Sequence, residues 1–362
     1  MADPNPRNRD QRVRLSEVIS LEWSFAATGV GSVPNLEVEP TCRLILELFP
    51  EIPFWPQFVN LAPEEEMVPQ FSEGLPGIRT GEDGKTLRVS SAALEDELTR
   101  FYEAFLDEDV EAFAVSPDRA RGLYAMLEMI GETPPAGQGL IKGQTVGPVT
   151  FASSVTLEDG RYLLHDPSLL DAVVKGLSIK LLWQAGMLGR TGRRPILFID
   201  EPALSGIGSA FSSMNRDLVT GALREMMDYC RERSDAVMGI HCCANTDWSM
   251  VLAAGPDILN FDAYGYMDAF LLYPDEVVRF VEGGGTIAWG IVPTLDFHEE
   301  VTAGDLQARL EQGLDRLSGQ GLGRDLLRAR GMITSACGMG GMPVDSVETV
   351  LRLISELGKR MR

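Results

Sequence analysis

Apolar positions along the chain fall into two alternating patterns. Short, β-branched runs ending in polar or glycine-containing segments occur near residues 25–30 (FAATGV), 54–58 (FWPQF), 139–145 (GLIKGQT), 195–200 (PILFID), 236–241 (AVMGIH), 257–262 (DILNFD), 285–291 (GTIAWGI) and 331–337 (GMITSAC). Runs of this length and composition predict eight strands. Between several of them lie amphipathic stretches of helical length, at 166–190, 214–233, 303–319 and 345–361. Asp166 and Asn215 stand where N-caps belong, with a side-chain oxygen available for the first free backbone N–H groups.

Eight strands alternating with helices predict a single α/β domain, a parallel (β/α)8 TIM barrel. Two stretches interrupt the alternation. Residues 72–92 carry Pro-Gly and Asp-Gly turn signals and predict a hairpin inserted after the second strand, and 93–132 adds two extra helices before the third. Neither has the apolar content of a separate core. The expected organisation is a polar N-terminal segment, 1–20, followed by one barrel over 21–362.

Composition narrows the functional classes. With 362 residues, 44% of them hydrophobic and 23% charged, the chain can bury a large core. Its first residues, MADPNPRNRDQRVRLSEV, lack the apolar stretch of a signal peptide, and nowhere do about 18 uncharged apolar residues run together. A cytoplasmic location is the expectation. Thirty-two basic residues against 53 acidic ones leave a net charge of −21, which opposes phosphate backbones and anionic lipid, so neither nucleic acid nor membrane is an expected partner.

The five cysteines, an odd number in a reducing compartment, point to thiol or metal chemistry rather than a disulfide framework. In 239-GIHCCANTDW-248, His241 and Cys243 stand two residues apart at the end of the fifth predicted strand, a spacing that aims both side chains to one side. Alone, the pair reads equally as a hydrogen-bonded core histidine and a small buried cysteine. Cys337, in 334-TSACGMGGMP-343, ends the eighth predicted strand, and in a barrel all three would open onto the same face. Such a set suits Zn2+, with Asp262 at the end of the sixth strand as a candidate fourth ligand. Cys242 is expected to face away and pack, Cys42 and Cys230 to sit in or on helices, and His165 and His298 have no metal-like spacing.

At these residues the chain resembles the catalytic barrel of the cobalamin-independent methionine synthase family, in the superfamily that also holds uroporphyrinogen decarboxylase. The matching stretches are 28-TGVGSVP-34, 142-KGQTVGPVT-150, 199-IDEPAL-204, 241-HCC-243 and 336-ACG-338, in the family's order and spread over nearly the whole chain. The resemblance implies a zinc ion held by His241, Cys243, Cys337 and a carboxylate. That carboxylate is usually Glu and here falls on Asp262, one methylene shorter. It also implies an amino-acid substrate held by Ser32, by Asp200 and by an acidic residue of the 64–66 run, taken as Glu65.

The implied reaction is methyl transfer to the thiolate of homocysteine, giving methionine. Zinc coordination keeps such a thiol deprotonated at neutral pH, and thiolate ligands leave the bound sulfur nucleophilic. Full-length family members carry a second barrel and this chain has the length of one. A methyl-corrinoid, as methylcobalamin or a corrinoid protein, is therefore the expected donor ahead of methyltetrahydrofolate. Other readings stay open: alkyl transfer to coenzyme M with Lys142 facing its sulfonate, a uroporphyrinogen decarboxylase, or a non-catalytic zinc barrel acting as a binding partner.

Overall fold

In the computed structural model, residues 23–131, 139–206 and 215–362 are described, so the polar segment 1–20 lies outside the described residues. The strands are β1 (Ala26–Ala27), β2 (Ser32–Val33), β3 (Gln57–Phe58), β4 (Ile78–Thr80), β5 (Leu87–Val89), β6 (Leu140–Val146), β7 (Arg194–Asp200), β8 (Val237–Cys242), β9 (Ile258–Phe261), β10 (Thr286–Val292) and β11 (Gly331–Ser335). Seven of them form one sheet in the order β1-β11-β10-β9-β8-β7-β6. Every pairing in it is parallel. All seven strands therefore end on the same rim.

Period-2 alternation divides the sheet residues between two cores. Leu140, Ile196, Phe198, Val237, Ile258, Ala288 and Met332 cluster with Trp23, Ala26 and Ile52 on the enclosed face. Their sequence neighbours, among them Ile141, Leu197, Met238, Leu259, Ile287 and Ile333, join the larger core beneath the flanking helices. Burial on both faces explains why these strands read as continuous apolar runs.

The second expected strand, 54–58, is where the structure departs from the sequence reading. Between the sheet edges β1 and β6, Phe54 forms only an isolated parallel bridge with Lys142. A two-residue ladder pairs Ser32 with Gln57 and Val33 with Phe58. Pro53 and Pro56 frame this segment, and a proline has no N–H to give a ladder. The result is a seven-stranded, incompletely closed barrel rather than a continuous eight-stranded one.

The turn signals at 72–92 produce an antiparallel hairpin, β4 against β5. The segment that follows contains the helices Leu94–Leu106 and Arg121–Ile130. Asp166 caps the helix Pro167–Gly189, accepting from the Ser168 and Leu169 N–H groups, and Asn215 caps Arg216–Arg231, accepting from Asp217 N–H. Among the described residues no helix is long and apolar enough to cross a membrane.

Candidate metal and thiol site

Four strand ends supply the chemistry on the common rim. Asp200 closes β7, His241 is the next-to-last residue of β8 with Cys243 just beyond it, Asp262 follows β9, and Cys337 lies two residues past β11. The potential ligand atoms of His241, Cys243 and Cys337 all lie within 4.8 Å of one another. His241 is buried, and both cysteines are partly exposed and free of disulfides. Cys242 points the other way: it is fully buried against the helices, donates to Ala244 O at 3.5 Å, and burial pushes its thiol up to about 12. The His-x-Cys spacing thus selects one face of β8, as the alternation predicted.

Electrostatics within the cluster favours electron-rich donors. Cys243 is drawn down to about 4, first by its hydrogen bond to Cys337 and then, against burial, by the bond and charge of His241. Cys337 moves in the opposite direction because it donates to Cys243 and is itself buried. Burial alone would depress His241, but its hydrogen bond to Cys243 and the charges of Cys243 and Asp200 outweigh that and raise it. The fit to a metal of zinc's type is chemical: two thiols and an imidazole converge, one of the thiols held as thiolate. The imidazole Nδ1 is already taken by Asn260 Oδ1 at 2.7 Å, which leaves Nε2 for a ligand.

Asp262 stands apart from this grouping. Its carboxylate caps the helix Ala263–Phe270 by accepting from Gly265 N–H at 2.6 Å. Burial raises its pKa, the Gly265 bond opposes this, and the Cys243 charge adds to the rise, which places the carboxylate within electrostatic reach of the thiols.

Asp200 is the orphan of the site. It is 5% exposed and its Oδ1 has no hydrogen-bond partner among the described residues. Burial pushes it up to about 6 against the lowering charges of His241 and Lys142. Lys142 lies fully buried beneath it, donating to Val30 O and to Gln144 Oε1 at 3.0 Å, with its ammonium 4.6 Å from the Phe198 ring centre. Burial lowers Lys142 to about 8. Its committed donors leave it poorly placed to meet a sulfonate.

Ser32 joins the site through the Cys337 loop. Its carbonyl accepts from Met339 N–H at 2.8 Å and its Oγ accepts from Gly340 N–H at 3.3 Å. A Cβ on Gly338 would stand 2.1 Å from that Oγ, so this close approach requires glycine. Glu65 is fully buried elsewhere in the hydrogen-bond network. It accepts from Phe58 N–H at 3.0 Å, and from Arg121 N–H and Nη1 at 3.2 Å each, a bonding set that ties β3 to the helix Arg121–Ile130.

Two neighbours of the site escaped the sequence reading. Glu201, beside Asp200, caps the helix Pro148–Ser154, accepting from Val149 N–H at 2.9 Å, Thr150 N–H at 2.8 Å and Thr150 Oγ1 at 2.6 Å. Its full burial pushes its carboxyl up to about 7 against those bonds. Asn260 is the other. Its signal was present as a polar residue two positions before Asp262, inside an apolar strand.

No protein-family model and no curated protein sequence matches the chain. Solved structures do. A B12-independent methionine synthase from Shewanella sp. W3-18-1, in complex with selenomethionine, superposes with a TM-score of 0.58 at 15% identity, over 93% of this chain and 98% of that one. A putative vitamin-B12 independent methionine synthase from Listeria monocytogenes gives 0.53 at 12% identity, over 90% and 86%. At this identity the likeness is one of fold: the chain has a methionine synthase-like α/β fold.

Proposed function

We propose that this chain is a zinc-dependent methyltransferase that moves a methyl group to the thiolate of homocysteine, giving methionine, with a methyl-corrinoid as donor. The observation that carries the reading is the convergence of His241, Cys243 and Cys337 beside Asp200, whose buried Oδ1 has no partner among the described residues. His241 Nε2 and the two Sγ atoms are the proposed metal donors. Asp262 is the proposed fourth, its bond to Gly265 making it the ligand that yields to an incoming thiol. Bound Zn2+ would supply a Lewis acid that keeps a substrate thiol deprotonated at neutral pH.

This chain's own residues then do the positioning. Asp200 Oδ1 accepts from the substrate ammonium, recovering the hydrogen bond it lacks. Ser32 Oγ accepts from Gly340 N–H and so keeps its own proton to donate to the substrate carboxylate. Glu65 supports the site from behind by fixing the segment after β3. The substrate thiolate attacks the methyl carbon, a new C–S bond forms, and the donor departs with the electron pair of the bond that breaks. Partly exposed Cys243 and Cys337 put this chemistry where a bulky donor can reach it.

Zinc X-ray absorption with and without homocysteine tests the reading. The expected result is exchange of an oxygen ligand for sulfur on adding thiol, and an unchanged spectrum would sink it. Methyl transfer assayed separately with methylcobalamin and methyltetrahydrofolate then identifies the donor, turnover with methylcobalamin being expected.

A further inference from the structure

Asn260 is fully buried in the middle of β9, flanked in register by His241 on β8 and Ala288 on β10. Its side chain makes three hydrogen bonds to three other strands. Oδ1 faces His241 Nδ1 at 2.7 Å, while Nδ2 lies 2.8 Å from Ala288 O and 2.8 Å from Thr334 Oγ1.

These partners leave the amide one orientation. Ala288 O is a backbone carbonyl and can only accept. Thr334 Oγ1 gives its single proton to Ser335 O at 3.0 Å, so toward Asn260 it too acts as an acceptor. Both amide hydrogens are therefore spoken for, and the oxygen must face the imidazole. An oxygen there requires a proton on Nδ1, which leaves the Nε2 lone pair for the site. Thr334 stands three residues before Cys337, so the same amide braces the strand carrying the distant thiol against the strand carrying the histidine.

We propose that Asn260 is the positioning residue of the site: it fixes His241 as the Nδ1–H tautomer with Nε2 presented to the metal, and holds β8 and β11 at the separation that brings His241 and Cys337 together. The metal part of this inference rests on the function proposed above; the tautomer part does not. Outer partners of this type typically contribute about 10–100-fold to metal affinity.

The test combines Asn260→Leu, which keeps approximate volume and removes every bond, with Asn260→Asp, which restores an acceptor for Nδ1–H. In metal-free protein at alkaline pH, 15N spectra of the imidazole are expected to show His241 as the Nδ1–H form in wild type and N260D, and a mixture in N260L. Zinc affinity, measured by competition with a chromophoric chelator, is expected to fall about 10–100-fold in N260L and to recover in N260D. A folded N260L that keeps both the tautomer and the affinity overturns the inference, as does a folded N260D no better than N260L. The wild-type spectrum decides even where a variant fails to fold, since an Nε2–H imidazole there refutes the assignment outright. Wild-type protein that takes up no zinc sinks the proposed function, and the tautomer measurement still judges Asn260.

Discussion

Asp200 shows what a single buried residue commits the protein to. Its carboxyl rests at about 6 instead of the ordinary 3.8, chiefly because burial penalises the charged form. A folded-state pKa above the unfolded one means that the folded protein binds the proton more tightly. The corresponding stability is fully present below about pH 4 and is lost as pH rises through about 6. Asp200→Asn removes the ionisation, so in metal-free protein the variant is expected to exceed wild type in stability above pH 7. The difference is up to about 3 kcal/mol and vanishes toward pH 4. Urea denaturation at the two pH values checks both the sign and the disappearance of the difference at low pH. On the proposed function, the same substitution is expected to weaken homocysteine binding, because an amide does not neutralise an ammonium, and that opposition separates a binding role from a folding one.

Among the elements, the helix Pro148–Ser154 depends on a residue from another strand's end. Gly147, at its N-cap, offers no side chain, and Glu201 fills the place, its carboxylate so close that a Cβ on Gly147 would sit 2.1 Å from it. Glu201→Ala leaves two buried backbone N–H groups and the proton of the Thr150 hydroxyl without an acceptor, and is expected to cost about 2–3 kcal/mol in urea denaturation. Strand positions, the hairpin and two caps were legible in the sequence because each follows from local periodicity or turn chemistry. His241, Cys243 and Cys337 were legible because strand ends in a parallel sheet share a rim. Asn260 was not, since its meaning depends on the lateral register of four strands. The bonding of Glu65 was not legible for a related reason: its partner Arg121 is 56 residues away along the chain. The apolar run at 54–58 read as an ordinary second strand, and its poor bonding traces to the missing N–H groups of Pro53 and Pro56.

At the scale of the whole molecule the consequence is an uneven barrel. From β6 to β11 the ladder is continuous, whereas residues 26–33 and 52–58 are joined by a two-residue ladder and a few single bonds, including Thr28 Oγ1 to Ile52 O at 2.9 Å, and 52–58 meets β6 through the one isolated bridge of Phe54 with Lys142. Hydrogen exchange is expected to follow this division, with slow amides in β6 to β10 and faster ones along 26–33 and 52–58, as measured by mass spectrometry. Uniform protection around the ring would contradict it. The Cys337 loop rests directly on Ser32 at this seam. On the proposed function a small amino acid and a bulky methyl donor would have to meet above the thiols, and elsewhere on the ring widening the mouth would break a full strand pairing. At the seam it would break only a few hydrogen bonds, so the incomplete closure is the side of the ring that yields at least cost, away from the strand pairings that hold His241 in place.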